Sequence, residues 1–329
     1  MRSLVLWWDR FWFDGGSAVQ LALLRIVTAV VSLWVLLSRD PAATSGFPPV
    51  FWKYVGRASR WRYMEFPGHL ELERILQDAA ILALFGVLLG VAPRVCAFVA
   101  SLLLYHFAPY EAILWTSSPY VRGYDTPVIA LAALAASPCG DVWALLEPRR
   151  AGLREPWEYA WPGRIVQLLL VCMYFFPGYS KLLDVGWGWA SAENMRAWLL
   201  AFNQGSEATP FTAPGLWLAA HPALCEATGI GTLAFELSFP FVLFNRRARW
   251  VYIPGALLFH LGIYFMMNIT VLYAIFLVVF IDRIPFGWGP SQARNGWSKT
   301  RYGLPNIRWA VHLLTPLIGN GTLFCPGAE

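Results

Sequence analysis

Apolar residues in this chain run in blocks rather than alternating. The blocks cover 17–37, 72–92, 94–116, 126–146, 164–183, 223–244, 250–267 and 269–284. Most are near the roughly 20 residues that a helix needs to cross the hydrocarbon core of a bilayer. The pattern predicts an all-α protein, a polytopic transmembrane helical bundle of about eight spans. The stretch from Trp250 to Phe280 lacks Asp, Glu, Lys and Arg. It is long for one untilted span and reads as two short helices meeting near Asn268. Ahead of the first block, residues 3–13 mix large aromatics with Asp9 and Arg10, which predicts a helix lying in the membrane interface. The expected organisation is an interfacial N-terminal helix in 1–16, a transmembrane domain in 17–285 and a surface-associated tail in 286–329.

Composition agrees with that reading. Of 329 residues, 57% are apolar and 14% charged, against about a quarter charged in soluble domains, and mean hydropathy is +0.49. A soluble enzyme, a nucleic-acid module and a disordered chain are excluded. The 18 Trp, 13 Tyr and 22 Phe suit interfacial aromatic belts. The net charge of +5 reports topology before it reports an anionic partner. Basic clusters in short loops, Arg149 to Arg154 and Arg246, Arg247 and Arg249, predict a cytoplasmic N-terminus in a multi-pass protein of the bacterial inner membrane. The five Cys show no CxxC spacing, so neither a disulfide framework nor a metal site is indicated. No cleavable signal peptide is evident, because the first long apolar block contains Arg25. Loops 39–71 and 184–222 are long, rich in Pro, Gly and Trp, and fall outside.

Ionisable residues inside the blocks are the candidate chemistry, since a charge in hydrocarbon is costly. Arg25, Glu236 and His260 each count to roughly 12–15 Å from the inner end of their spans, and predict a buried polar cluster. Two roles fit it, a packing lock or support for a ligand or proton path. A second set lies toward the outer face: Lys181, Asp184, Asp78 and Asp125, with His106 nearer the middle. Lys181, a candidate base, follows Tyr174, Phe175, Phe176 and Tyr179 in sequence; the plainer alternative is a snorkelling side chain paired with Asp184. Tyr174, Tyr179, Trp187, Asp78 and Asp125 are the candidate ligand-binding residues. Pro177-Gly178 predicts an interruption of the helix just before Lys181.

Several segments together resemble one family. LALLRIVTAV (21–30), SPCGDVWALLEPRR (137–150), the Tyr-Ser-Lys-containing run 161–195, FELSFPFVLFNRRAR (235–249) and LLFHLGIYFMMNI (257–269) are similar in order and spacing to the HTTM proteins. These share the transmembrane domain of vitamin K-dependent gamma-carboxylase. The resemblance covers Ser17 to Pro285. It implies that Lys181 stands where the carboxylase has the base that deprotonates reduced vitamin K, with Glu236 and His260 in support, and it makes a quinone or hydroquinone the implied cofactor. Two departures count against protein carboxylation: no counterpart of the large lumenal substrate part, and Tyr120-Val121-Arg122-Gly123-Tyr124-Asp125 where the carboxylase has an Asn-His pair.

Three functions are therefore open at the level of sequence. One is a quinol- or lipid-linked membrane enzyme using Lys181. Another is a non-catalytic accessory or assembly subunit of a larger membrane complex, with partner chains on its aromatic outer loops. The third is a transporter, which has the buried charges in its favour but lacks an inverted repeat. The bilayer is the partner common to all three, and no nucleic acid is expected.

Overall fold

The computed structural model describes residues 8–9, 11–13, 15–47, 70–114, 124–146, 154–203, 212–267, 269 and 271–281. Helix α1 (Ala18–Arg39) begins where Ser17 caps it, its hydroxyl accepting from the Gln20 amide at 3.2 Å. It ends at Asp40, which sits in the left-handed region at φ 37° and at once caps α2 (Pro41–Ser45) through the Ala43 amide. Leu21, Leu24, Arg25, Thr28, Ser32, Val35 and Leu36 recur at helical spacing on its buried face. Helix α1 touches α3 (Leu70–Leu89), α5 (Asp125–Ala135), α6 (Pro156–Asp184) and a closing 3₁₀ helix (Leu272–Phe280), so it runs through the core.

Helices α3 and α4 (Pro93–Leu114) are joined by a tight turn in which Gly90 and Ala92 take positive φ of 75° and 42°. Beyond α6 come a 3₁₀ helix (Gly186–Ala190), α7 (Ala192–Asn203) and α8 (Thr212–Ala219). Then α9 (Pro222–Ser238), the short α10 (Phe241–Phe244) and α11 (Arg246–Met267) follow. Met195, Leu199, Leu218, Ala219 and Cys225 form a second, smaller core under α7, α8 and α9.

The described residues are all-helical and contain no strand. Three of their helices, α1, α6 and α11, are long and apolar enough to cross a membrane. Several boundaries differ from the expectations above. The block 126–146 is α-helical only to Ala135, because Ser137-Pro138-Cys139-Gly140 turns the chain, and Leu145 then docks its amide on the Leu89 carbonyl. The block 269–284 contains a 3₁₀ helix rather than an α-helix. The segment 184–222, expected to be an outer loop, is largely helical over its described residues. Helix α6 runs through Pro177 without a break, at 29 residues or roughly 43 Å. Residues 1–7, Arg10 and 286–329, which hold most of the expected interfacial helix and the expected tail, lie outside the described residues, as do Tyr120 to Gly123 and Asn268.

Candidate functional site

Tyr174, Gly178 and Lys181 are spaced four and three residues apart on α6, so they share one face. Helix α9 packs against α6. A side chain at Gly178 would not fit: a Cβ there would lie 2.8 Å from the Glu236 Cβ and 3.1 Å from its Oε2. The bare backbone at Gly178 admits the carboxylate between the helices. The Lys181 ammonium Nζ then donates to both Glu236 oxygens, at 2.7 and 2.8 Å. Their side chains are 14% and 7% exposed. Above the ammonium, 4.3 Å from Nζ, lies the ring of Trp189.

Trp189 belongs to the 3₁₀ turn that follows α6, and it is held there. Its carbonyl accepts from Asn194 Nδ2 at 2.7 Å, and Gly229 of α9 approaches the Ala190 backbone so closely that a Cβ would lie 2.7 Å from the Ala190 oxygen. One turn below Gly178, the Tyr174 hydroxyl meets His260 Nε2 of α11 at 2.6 Å. Tyr174 stacks on Phe239, with centroids 3.9 Å apart, and His260 meets Tyr273 edge to face at 5.3 Å. The arrangement can hold a protonated amine against a carboxylate and keep a second titratable pair a short distance below it.

The sequence expectations fare unevenly. Lys181 and Glu236, expected in separate layers, form one ion pair. Arg25, expected in a cluster with Glu236 and His260, bonds to neither. Its fully buried guanidinium donates to the main-chain oxygens of Cys139 at 2.7 Å, Val142 at 3.4 Å and Trp143 at 2.5 Å. The reason is local: Trp143 at φ 55° and Gly90 at φ 75° turn the chain so that these carbonyls face α1. Asp184 accepts from Ser180 at 2.8 Å rather than pairing with Lys181. Asp78 and Asp125 are exposed and stand on α3 and α5, not on the helices that carry the ion pair. Tyr179 stacks on Phe175 on an exposed face. Trp187 is 73% exposed; the indole that covers Lys181 is two residues later.

Sequence reasoning missed Trp189, Gly178 as a close-contact position, Tyr273, and the partner of His106, which is Glu73 at 2.9 Å. The four-and-three spacing of Tyr174, Gly178 and Lys181 was the available signal for Gly178. Elsewhere a cleft of about 50 Å³ lies near the other end of α6, between Gly16, Gln20, Arg164, Gln167 and Val279. Arg164 is 17 residues before Lys181, roughly 25 Å along the helix, and the cleft contains none of the expected site residues. Compared with known proteins, the chain matches no family model, no curated protein and no solved structure.

Proposed function

We propose that this is a multi-pass membrane enzyme of the HTTM, gamma-carboxylase-like class, which uses Lys181 as the base toward a quinol or a comparable lipid-borne acid. In this reading the chain crosses the membrane about eight times, with an interfacial N-terminal helix and a cytoplasmic N-terminus. The observation that carries it is the lysine itself: an amine on an apolar helix, 14% exposed, whose hydrogen-bond partner is a carboxylate. Lys181 would accept the hydroxyl proton of a bound hydroquinone, and the hydroquinone would supply the reaction with oxygen. Glu236 orients the amine, and once Lys181 carries the proton its carboxylate balances the ammonium. A quinone would supply the redox chemistry when bound; the side chains described here supply the proton acceptor and its counter-charge.

Lys181→Arg tests the reading. Arginine keeps the positive charge opposite Glu236 but does not give up its proton at accessible pH. Purified protein in nanodiscs, given a reduced naphthohydroquinone, is expected to oxidise it under air. The variant is expected to do so at least about 100-fold more slowly, the usual loss when a general base is removed. Equal rates in both would overturn the proposal.

An accessory-subunit reading has one feature in its favour. Helix α11 presents Trp250, Val251 and Leu258 at 84%, 71% and 68% exposure, a face that a partner helix could cover as well as lipid. Extraction in mild detergent that recovers this chain bound in fixed ratio to another membrane protein would favour it.

A further inference from the structure

The cleft beside Arg164, toward the other end of α6 from Lys181, has no part in the chemistry proposed above. A Cβ on Gly16 would lie 2.3 Å from the Ala160 nitrogen, so bare backbone brings the lead-in to α1 directly against α6. Gly15, at φ 75°, and Gly163 border the space, with nothing within 4 Å of where a side chain would begin. Two glutamines close a third side. Gln20 Nε2 donates to the Ile281 oxygen at 3.0 Å and Gln167 Nε2 to the Val279 oxygen at 2.6 Å, which ties the end of the closing 3₁₀ helix to α1 and α6. Arg164 is the one charged side chain among the described residues that line the cleft. Its Nη1 donates to Gln167 Oε1 at 2.9 Å and its guanidinium carbon lies 5.3 Å from the centre of the Phe11 ring, so a hydrogen bond and a ring hold the fork in place.

Sign and size select the ligand. The acids at this end of α6 are turned to other partners. Asp141 accepts from Arg154 and from the Tyr159 hydroxyl, both at 2.8 Å, and Glu158 accepts from Arg154 at 3.2 Å. The cleft itself presents a guanidinium and amides, which suits an anion. Its volume of about 50 Å³ admits roughly three to five water-sized groups. That is room for the oxygens of one phosphate and too little for a fused quinone ring. The surroundings point to a lipid. Helices α1 and α6 are both long and apolar enough to cross a membrane. Phe13 meets Trp157 edge to face at 6.2 Å, and both rings are exposed, as is Trp8. Exposed aromatics of this kind collect at headgroup depth.

We propose that the Arg164 cleft binds a phosphate group, presented by an anionic membrane lipid whose acyl chains lie along the aromatic flank. The Arg164 guanidinium donates to the phosphate oxygens, and the absence of side chains at Gly15 and Gly163 leaves space for them. This site stands whether or not Lys181 is a base.

Native mass spectrometry of the full-length protein tests it, with dioleoylphosphatidylglycerol titrated against dioleoylphosphatidylcholine in detergent. One phosphatidylglycerol is expected to be retained ahead of the rest. Arg164→Gln is expected to weaken that first lipid about tenfold, the loss of a charged contact to phosphate. Gly163→Leu keeps the arginine and fills the space; it is expected to lose the first lipid too, and it carries the test if Arg164→Gln does not fold. Thermal unfolding in detergent checks that each variant is folded. Arg247→Gln, at an exposed arginine of α11, is expected to change nothing. Wild-type affinity in either folded cleft variant, or equal weakening by Arg247→Gln, would overturn the site. Inorganic phosphate at millimolar concentration is expected to leave the first lipid bound. Its displacement by phosphate in the wild type would keep the phosphate chemistry and overturn the lipid as its source.

Discussion

Two cations in this protein, the fully buried Arg25 and the half-buried Lys181, are held in opposite ways. Arg25 on α1 is surrounded by main-chain oxygens of the 139–143 turn, and no carboxylate is bonded to it. Lys181 on α6 is bonded to the side chain of Glu236. Carbonyls cannot accept a proton from a guanidinium, and a guanidinium does not release one, so the Arg25 arrangement has a single protonation state. An ammonium against a carboxylate has two, with the proton on either partner. The first arrangement fixes a turn. The second can change charge without changing partners. The difference in protonation follows from what each cation touches.

The largest expected effect falls on the rigid member. Arg25→Met strands three carbonyls in the core and is expected to lower unfolding stability by about 3–5 kcal/mol, the range for removing one partner of a buried charged contact. Thermal unfolding in detergent measures it. No second side-chain change is expected to rescue the loss, because the partners are backbone. Glu236→Leu is expected to cost somewhat less, about 3 kcal/mol, by leaving the Lys181 charge alone. Here rescue is expected: Lys181→Met added to Glu236→Leu should return stability to within about 1 kcal/mol of wild type. A double variant as unstable as the single would mean the pair is not the self-contained unit described. The smallest effect is at Gly178→Ala, where the new methyl pushes the Glu236 Cβ from 2.8 Å. A loss of about 1–2 kcal/mol is expected, read as a lower unfolding temperature in detergent.

Much of the architecture was legible in the residues. The apolar blocks located α1, α3, α4 and α11 to within a few positions, and single ionisable residues in the blocks singled out Arg25, Lys181, Glu236 and His260. Pairing was not legible. A helical period says which residues share a face but not which neighbour that face meets, and depth counted from a span's end assumes the span is one straight helix. Counting Glu236 upward from Phe244 failed because Phe239-Pro240 separates α9 from α10, while α6 begins at Pro156, eight residues before the block it was expected to fill. Arg25 was misassigned because its partners are carbonyls in a turn with positive φ at Trp143, and main-chain oxygens leave no mark in a composition scan. Trp189 was missed for a related cause: a 3₁₀ turn repeats every three residues rather than 3.6, so the indole folded back over Lys181 is not the one a longer α6 would have presented.

Pro177 leaves a separate mark on α6. Proline has no amide hydrogen, so the helix passes through that position without the bond that would normally engage the carbonyl four residues earlier, Met173. The carbonyl immediately before Tyr174 therefore lacks its usual helical amide donor.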